Sequence, residues 1–156
     1  MTLKELQKEE SRYINKEIEI SGWIRNHRPQ KEFGFIDFSD GTSFKHLQVV
    51  YTKDLNDFEK IVKLHNGSSI KVVGDYVKSE GSGQAYELKA KTIELLGDCP
   101  EDYPLQPKKH SMEFLRSIAY LRPRANTFQA VFRVRSVAAY AIHKYFQDRN
   151  YIYVHT

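Results

Sequence analysis

Apolar and polar positions along the chain repeat with two periods, and those periods predict its elements. Met1 to Ile14 places Leu3 and Leu6 on one helical face among charges. From Glu17 to Arg28 the pattern alternates. Ile18, Ile20, Gly22 and Ile24 point one way, and Glu19, Ser21, Trp23 and Arg25 the other, as in a half-buried strand. Phe33 to Ser39 predicts a second strand, closed by the turn signal Asp40-Gly41, and His46 to Tyr51 a third. Leu55, Phe58, Ile61 and Leu64 or His65 then recur at helical spacing, and Asn66-Gly67 ends that helix. Ser69 to Lys78 and Ala85 to Leu96 predict a fourth and a fifth strand. Glu80-Gly81-Ser82-Gly83 joins them as a hairpin turn.

Three strands, a helix and two strands is the order of a five-stranded Greek-key barrel of the OB type, with the helix between strands three and four. Pro100, Pro104 and Pro107 then interrupt any ladder or helix, so residues 98–110 are expected to form a linker. His110 to Arg124, HSMEFLRSIAYLRPR, predicts a short amphipathic helix. Ser111 caps it, Phe114, Leu115, Ile118 and Leu121 fall at helical spacing, and Pro123 stops it. Asn126 to Asn150 predicts a long helix with Phe128, Val131, Val134, Ala138, Ala141, Ile142 and Tyr145 along one stripe. Tyr151 to Thr156 alternates again and predicts a strand with nothing after it to pair with. The expected organisation is an all-β barrel over 1–97, a linker over 98–110, and the start of a second domain over 111–156. The chain is thus expected to be a piece of a longer protein.

Composition narrows the class. At 156 residues the chain can hold one domain with a real core and part of a second. With 40% hydrophobic and 28% charged residues it belongs among globular rather than disordered chains. No apolar run reaches the length of a membrane span, and MTLKELQKEE has no apolar signal core, so no membrane partner is expected and the cytoplasm is the expected location. Cys99 is the single cysteine, which excludes an intrachain disulfide. Residues 1–100 carry 15 Lys+Arg against 16 Asp+Glu, and residues 101–156 carry 9 against 4. The basic second part suits a polyanionic partner, although an ordinary solvated surface carries as much.

Candidate chemistry gathers on strand two. Ile36 and Phe38 share one face, and Phe33 and Phe35 the other. A small barrel has one interior, so one aromatic pair either faces outward or is covered by the N-terminal helix or the second domain. An exposed Phe on such a strand is a stacking platform for unpaired bases. Arg25 and Arg28 end strand one beside it, Gln48 lies opposite Leu47 and Val49 on strand three, and Glu87 lies opposite Tyr86 and Leu88 on strand five. A cation, an aromatic ring, an amide and a carboxylate suit single-stranded RNA, and uracil, with two carbonyls around one N–H, matches Gln48.

Other chemistries find no support. The six histidines are scattered without zinc spacing. Glu80-Gly-Ser-Gly83 joins strands and opens no helix, which makes it a hairpin rather than a phosphate loop. No Ser, His and Asp share a nucleophile-elbow context.

The runs His110-Ser-Met-Glu-Phe-Leu-Arg116 and Leu121-Arg-Pro-Arg124 resemble the junction between the anticodon-binding and catalytic domains of asparaginyl-tRNA synthetases. GWIRNHRPQKEFGFIDFSDG, LQVV and YELKA resemble the anticodon-binding barrel shared by asparaginyl-, aspartyl- and lysyl-tRNA synthetases, whose anticodons share a central U. The resemblance implies that Phe35 stacks on this U and that Arg28, Gln48 and Glu87 contact the anticodon, with Arg25 beside them. It further implies that residues 126–156 hold most of class II motif 1, with Phe128, Val131, Ala138 and Tyr145 in a homodimer interface. A plain core helix fits the same stripe. The implied parent activates L-asparagine with ATP and Mg²⁺ and transfers it to its tRNA. Motifs 2 and 3 do not occur in this chain, so no catalytic residue is placed here, and the fragment alone is expected to bind neither cofactor. The alternatives are an aspartyl-tRNA synthetase and a non-enzymatic single-strand-binding OB protein.

Overall fold

The computed structural model describes residues 1–79, 81 and 83–155; Glu80 and Ser82 of the expected hairpin turn lie outside them. The chain divides into two compact units, Met1–Pro107 and Lys108–Thr156. In the first, β1 (Lys16–Pro29), β2 (Phe33–Ser39), β3 (Leu47–Thr52), β4 (Ser69–Lys78) and β5 (Tyr86–Gly97) close a barrel in the order β1-β2-β3-β5-β4. β3 and β5 run parallel, and the other neighbours are antiparallel. This is the OB-fold that the order of strands predicts. β1 belongs to both sides of the closure: residues 16–23 pair with β4 and residues 23–29 with β2.

Alternate residues fill the interior. Ile18, Ile20 and Ile24 of β1 meet Ile36 and Phe38 of β2, Val49 and Tyr51 of β3, Ile70, Val72 and Tyr76 of β4, and Leu88 and Ile93 of β5, all buried. Helix α1 (Leu3–Lys8) adds Leu3 and Leu6 to this core. Thr2 and Glu5 form a capping box at its start, which satisfies two of its first N–H groups. A bend at Glu9 separates α1 from α2 (Glu10–Tyr13), so the expected helix over 1–14 is two short ones. Helix α3 (Phe58–Ile61) follows the far end of β3 and contributes Phe58 and Ile61. It is shorter than the spacing from Leu55 to Leu64 predicts. Turns at Thr52–Leu55 and Ile61–Leu64 carry the outer members of that row, because the same three-residue spacing serves consecutive turns. The expected linker is no free tether up to Pro107. Cys99 and Leu105 are buried, and the Cys99 carbonyl meets His65 Nδ1 at 2.9 Å.

A half-buried polar contact closes one region of the barrel. His27 Nδ1 lies 2.9 Å from the Leu64 carbonyl and Nε2 lies 2.7 Å from the Tyr51 hydroxyl. A carbonyl only accepts, so Nδ1 carries the proton and Nε2 accepts from Tyr51. The phenol packs against Gly34, where any side chain would overlap its ring and hydroxyl. Burial pushes the Tyr51 phenol up to about 12.

In the second unit α4 (Met112–Ser117) starts at Ser111, whose hydroxyl accepts from the Phe114 N–H. It ends well before Pro123, which instead sits in a 3-10 turn over Arg122–Arg124. Helix α5 (Asn126–Gln147) is the long helix of the pattern. Asn150, in a left-handed conformation with φ 64°, ends its last turn, and the Tyr151 N–H returns to the Phe146 carbonyl. Residues 151–155 form no strand. Alternation alone does not make a ladder, and the unit has no described strand to pair with.

Burial lowers the pKa of His27, and the Leu64 carbonyl opposes that more weakly. A depressed histidine contributes stability above its unfolded value, and that stability is lost as pH falls through the folded one. Fold stability is therefore expected to decline as pH drops below about 6.5, because the unfolded chain takes up a proton that the folded chain resists. His27→Gln should flatten this acid limb in urea unfolding followed across that range. An unchanged slope would remove His27 as its source.

Candidate nucleic-acid interface

The outer face of β1, β2, β3 and β5 is assembled by one irregularity. Ile24 pairs with Phe38, but Asn26 pairs with Asp37, so Arg25 is an inserted bulge residue. The insertion reverses the parity of everything after it. His27 now faces Ile36 and the interior, and Arg28 faces Phe35 on the outside. Alternation carried on from Ile24 would have sent Arg28 inward.

Two rows cross the strands on this face. The first runs from Arg28 to Phe35 and Val50 and on to Lys89. Phe35 is half-buried, and Phe33 meets it edge-on with ring centroids 5.4 Å apart. The Arg28 guanidinium carbon stands 5.5 Å from the Phe35 centroid, a cation–π contact that holds the charge beside the ring. The second row runs from Asn26 to Asp37 and Gln48. Gln48 Nε2 donates to Glu87 Oε2 at 3.4 Å, and the Ser79 hydroxyl donates to the same oxygen at 2.8 Å.

The predicted residues therefore take different positions. Arg28, Phe35 and Gln48 come together on the outer face. Arg25 sits one step back, in the bulge, and is half-buried. Glu87 is 7% exposed, and its carboxylate is occupied by Ser79 and Gln48, so it acts on the face through the Gln48 amide. The sequence pattern did not single out Asp37 and His46, which meet here at 2.8 Å between Asp37 Oδ2 and His46 Nδ1. The signal was available: His46 is two residues from Gln48 and shares its parity. Among the described residues no cluster of His, Cys, Asp and Glu could hold a metal ion. Among the described residues no helix is long and apolar enough to cross a membrane.

Of the α5 residues expected at an interface, Val131 and Tyr145 are 50% and 53% exposed, and Ala138 is exposed. Phe128 is half-buried, with Arg122 5.2 Å over its ring and Phe132 stacked at 5.8 Å.

Comparison with known proteins places this geometry. The chain is 54% identical to asparagine–tRNA ligase of Desulfitobacterium hafniense over 154 residues, which is 99% of this chain and 33% of that protein. It is 51% identical to the asparagine–tRNA ligase of Acholeplasma laidlawii over 157 residues, 100% of this chain and 34% of that protein. The chain thus spans about a third of the length of the curated relatives it matches. Among solved structures, asparaginyl-tRNA synthetase from Pyrococcus horikoshii superposes with a TM-score of 0.79 at 22% identity, covering 92% of this chain and 35% of that one. A putative aspartyl-tRNA synthetase from Leishmania major gives 0.83 at 18% identity, covering 100% of this chain and 33% of that one. At such identities the likeness is one of fold, and two amino-acid specificities share it. The tRNA anticodon family of OB-fold nucleic acid binding domains matches residues 18–96, a span that holds every residue of the face just described, and the chain belongs to that family.

Proposed function

We propose that this chain is the anticodon-reading part of an asparagine–tRNA ligase. The observation that carries the reading is the outer face itself: a cation, a ring and an amide brought together inside the matched domain. Phe35 offers its ring to the central base of the anticodon, a uracil. A carboxylate only accepts, so Glu87 draws the NH₂ end of the Gln48 amide toward itself. That leaves the Gln48 carbonyl oxygen and its second N–H for the base. The oxygen accepts from the uracil N3–H, and the N–H donates to a uracil carbonyl. In cytosine both groups are reversed: N3 is a lone pair and the exocyclic group donates. Arg28 serves the phosphate backbone, which positions the loop without reading sequence.

The same reading assigns the rest of the reaction elsewhere. The parent would condense L-asparagine with ATP, with Mg²⁺ on the phosphates, and pass the activated amino acid to tRNA(Asn) in the cytoplasm. No residue of this chain is assigned to ATP, Mg²⁺ or asparagine. The exposed apolar residues of α5, Val131, Val134, Val137 and Tyr145 among them, would meet a second copy in a homodimeric parent.

Three outcomes are expected. Phe35→Ala should weaken binding of an asparagine anticodon stem-loop by about 1–3 kcal/mol while leaving thermal unfolding nearly unchanged, because the ring is only half-buried. Titration of labelled RNA decides this, and unchanged affinity would sink the reading. Gln48→Ala should narrow the preference for U over C at the central position by about 1 kcal/mol. Equal binding of both stem-loops by the unmutated chain would exclude base reading by the amide. In sedimentation the 156-residue chain should self-associate with rising concentration, and a chain ending at Pro107 should not. A monomeric full chain at high concentration would refute the α5 interface.

A further inference from the structure

The face continues past Gln48. His46, Gln48 and Val50 alternate along one side of β3 and its approach, and Asp37 of β2 is the cross-strand partner of Gln48. Asp37 Oδ2 accepts from His46 Nδ1 at 2.8 Å, and the two side chains are 38% and 18% exposed. This contact fixes the ring. With Nδ1–H given to the carboxylate, Nε2 of the neutral imidazole is an acceptor.

The backbone that delivers His46 is also held. The loop between β2 and β3 is tied to α1 by four hydrogen bonds: the Leu3 N–H donates to Asp40 Oδ2 at 2.7 Å, the Lys4 N–H to Thr42 Oγ1 at 3.1 Å, Gln7 Nε2 to the Lys45 carbonyl at 2.9 Å, and the Ser43 hydroxyl to Gln7 Oε1. Leu3 and Leu6 of the same helix are buried in the core. A histidine at the end of a clamped loop, with its tautomer set by a neighbouring carboxylate, has the fixed geometry that base reading requires. The local charge disfavours a phosphate role. Asp37 and Glu87 flank this part of the face, and both repel a phosphodiester.

We infer that His46, oriented by Asp37, is a further specificity-determining residue, and that it contacts the anticodon nucleotide next to the one stacked on Phe35. The inference rests on the anticodon reading proposed above. The codons AAU and AAC require an anticodon whose flanking bases are G and U. Each presents a ring N–H on its pairing edge, which Nε2 can accept. A and C present a lone pair at that place, so exchanging G for A or U for C sets two acceptors against each other.

The test uses the 156-residue chain and asparagine stem-loops with G changed to A at the first anticodon position or U changed to C at the third. The unmutated chain should discriminate at one of these flanks by about three- to tenfold. His46→Ala should abolish that discrimination and leave the preference for U over C at the central position intact. His46→Gln, which retains an acceptor, should recover part of it. A His46→Ala chain that discriminates at both flanks as before, or an unmutated chain that discriminates at neither, overturns the inference. Phe35→Ala separates the two failures. If it weakens binding while His46→Ala changes nothing, only the His46 assignment is wrong. If neither substitution changes binding, the anticodon reading falls with it.

Discussion

A small closed barrel has one interior, and a strand can give it only every second side chain. Every apolar residue committed inward therefore fixes the orientation of its neighbours. Ile36 and Phe38 fill the core, so Phe35 and Asp37 are turned out. Val49 and Tyr51 do the same for Gln48 and Val50, and Leu88 does it for Glu87 and Lys89. The candidate interface is the complement of the core, written by the same residues in the opposite phase.

Much of this was legible in the sequence because a period of two is hard to imitate by chance over ten residues. All five strands stand where alternation predicts them, and so does the outward parity of Phe35 and Gln48. The bulge at Arg25 was not read, although it left a trace. Unbroken alternation would have put Asn26 and Arg28 into the core beside Ile24, a burial of two polar groups that no barrel of this size could satisfy. The Tyr151 to Thr156 pattern misled for the converse reason, since alternation describes a strand only where another strand accepts it. The burial of Glu87 was out of reach. It depends on Ser79, across the turn between β4 and β5, and on Gln48 from a third strand, and pattern alone does not report such pairs.

Charge on this face is divided in a way that composition conceals. The first unit is mildly acidic, with 15 Lys+Arg against 18 Asp+Glu, yet its outer surface is not uniform. Arg28 and Lys89 lie in one row, while Asp37, Gln48 and Glu87 lie in the next. On the proposed reading, a nucleic-acid strand crossing the barrel would meet a row that tolerates phosphate and then a row that repels it and offers acceptors. Such a surface sorts backbone from bases by electrostatics before any hydrogen bond forms.

The bulge in β1 gives the stretch between Ile24 and Pro29 one residue that the ladder with β2 does not use. Replacing Asn26 or Arg25 changes one side chain. Removing either takes out the bulge and leaves a plain strand in which His27 still faces Ile36 and the interior and Arg28 still faces Phe35. An added residue that the bulge did not absorb would instead exchange the contents of two surfaces while leaving the strand's composition almost untouched. Among descendants of this sequence, the segment should lose a residue more readily than it gains one.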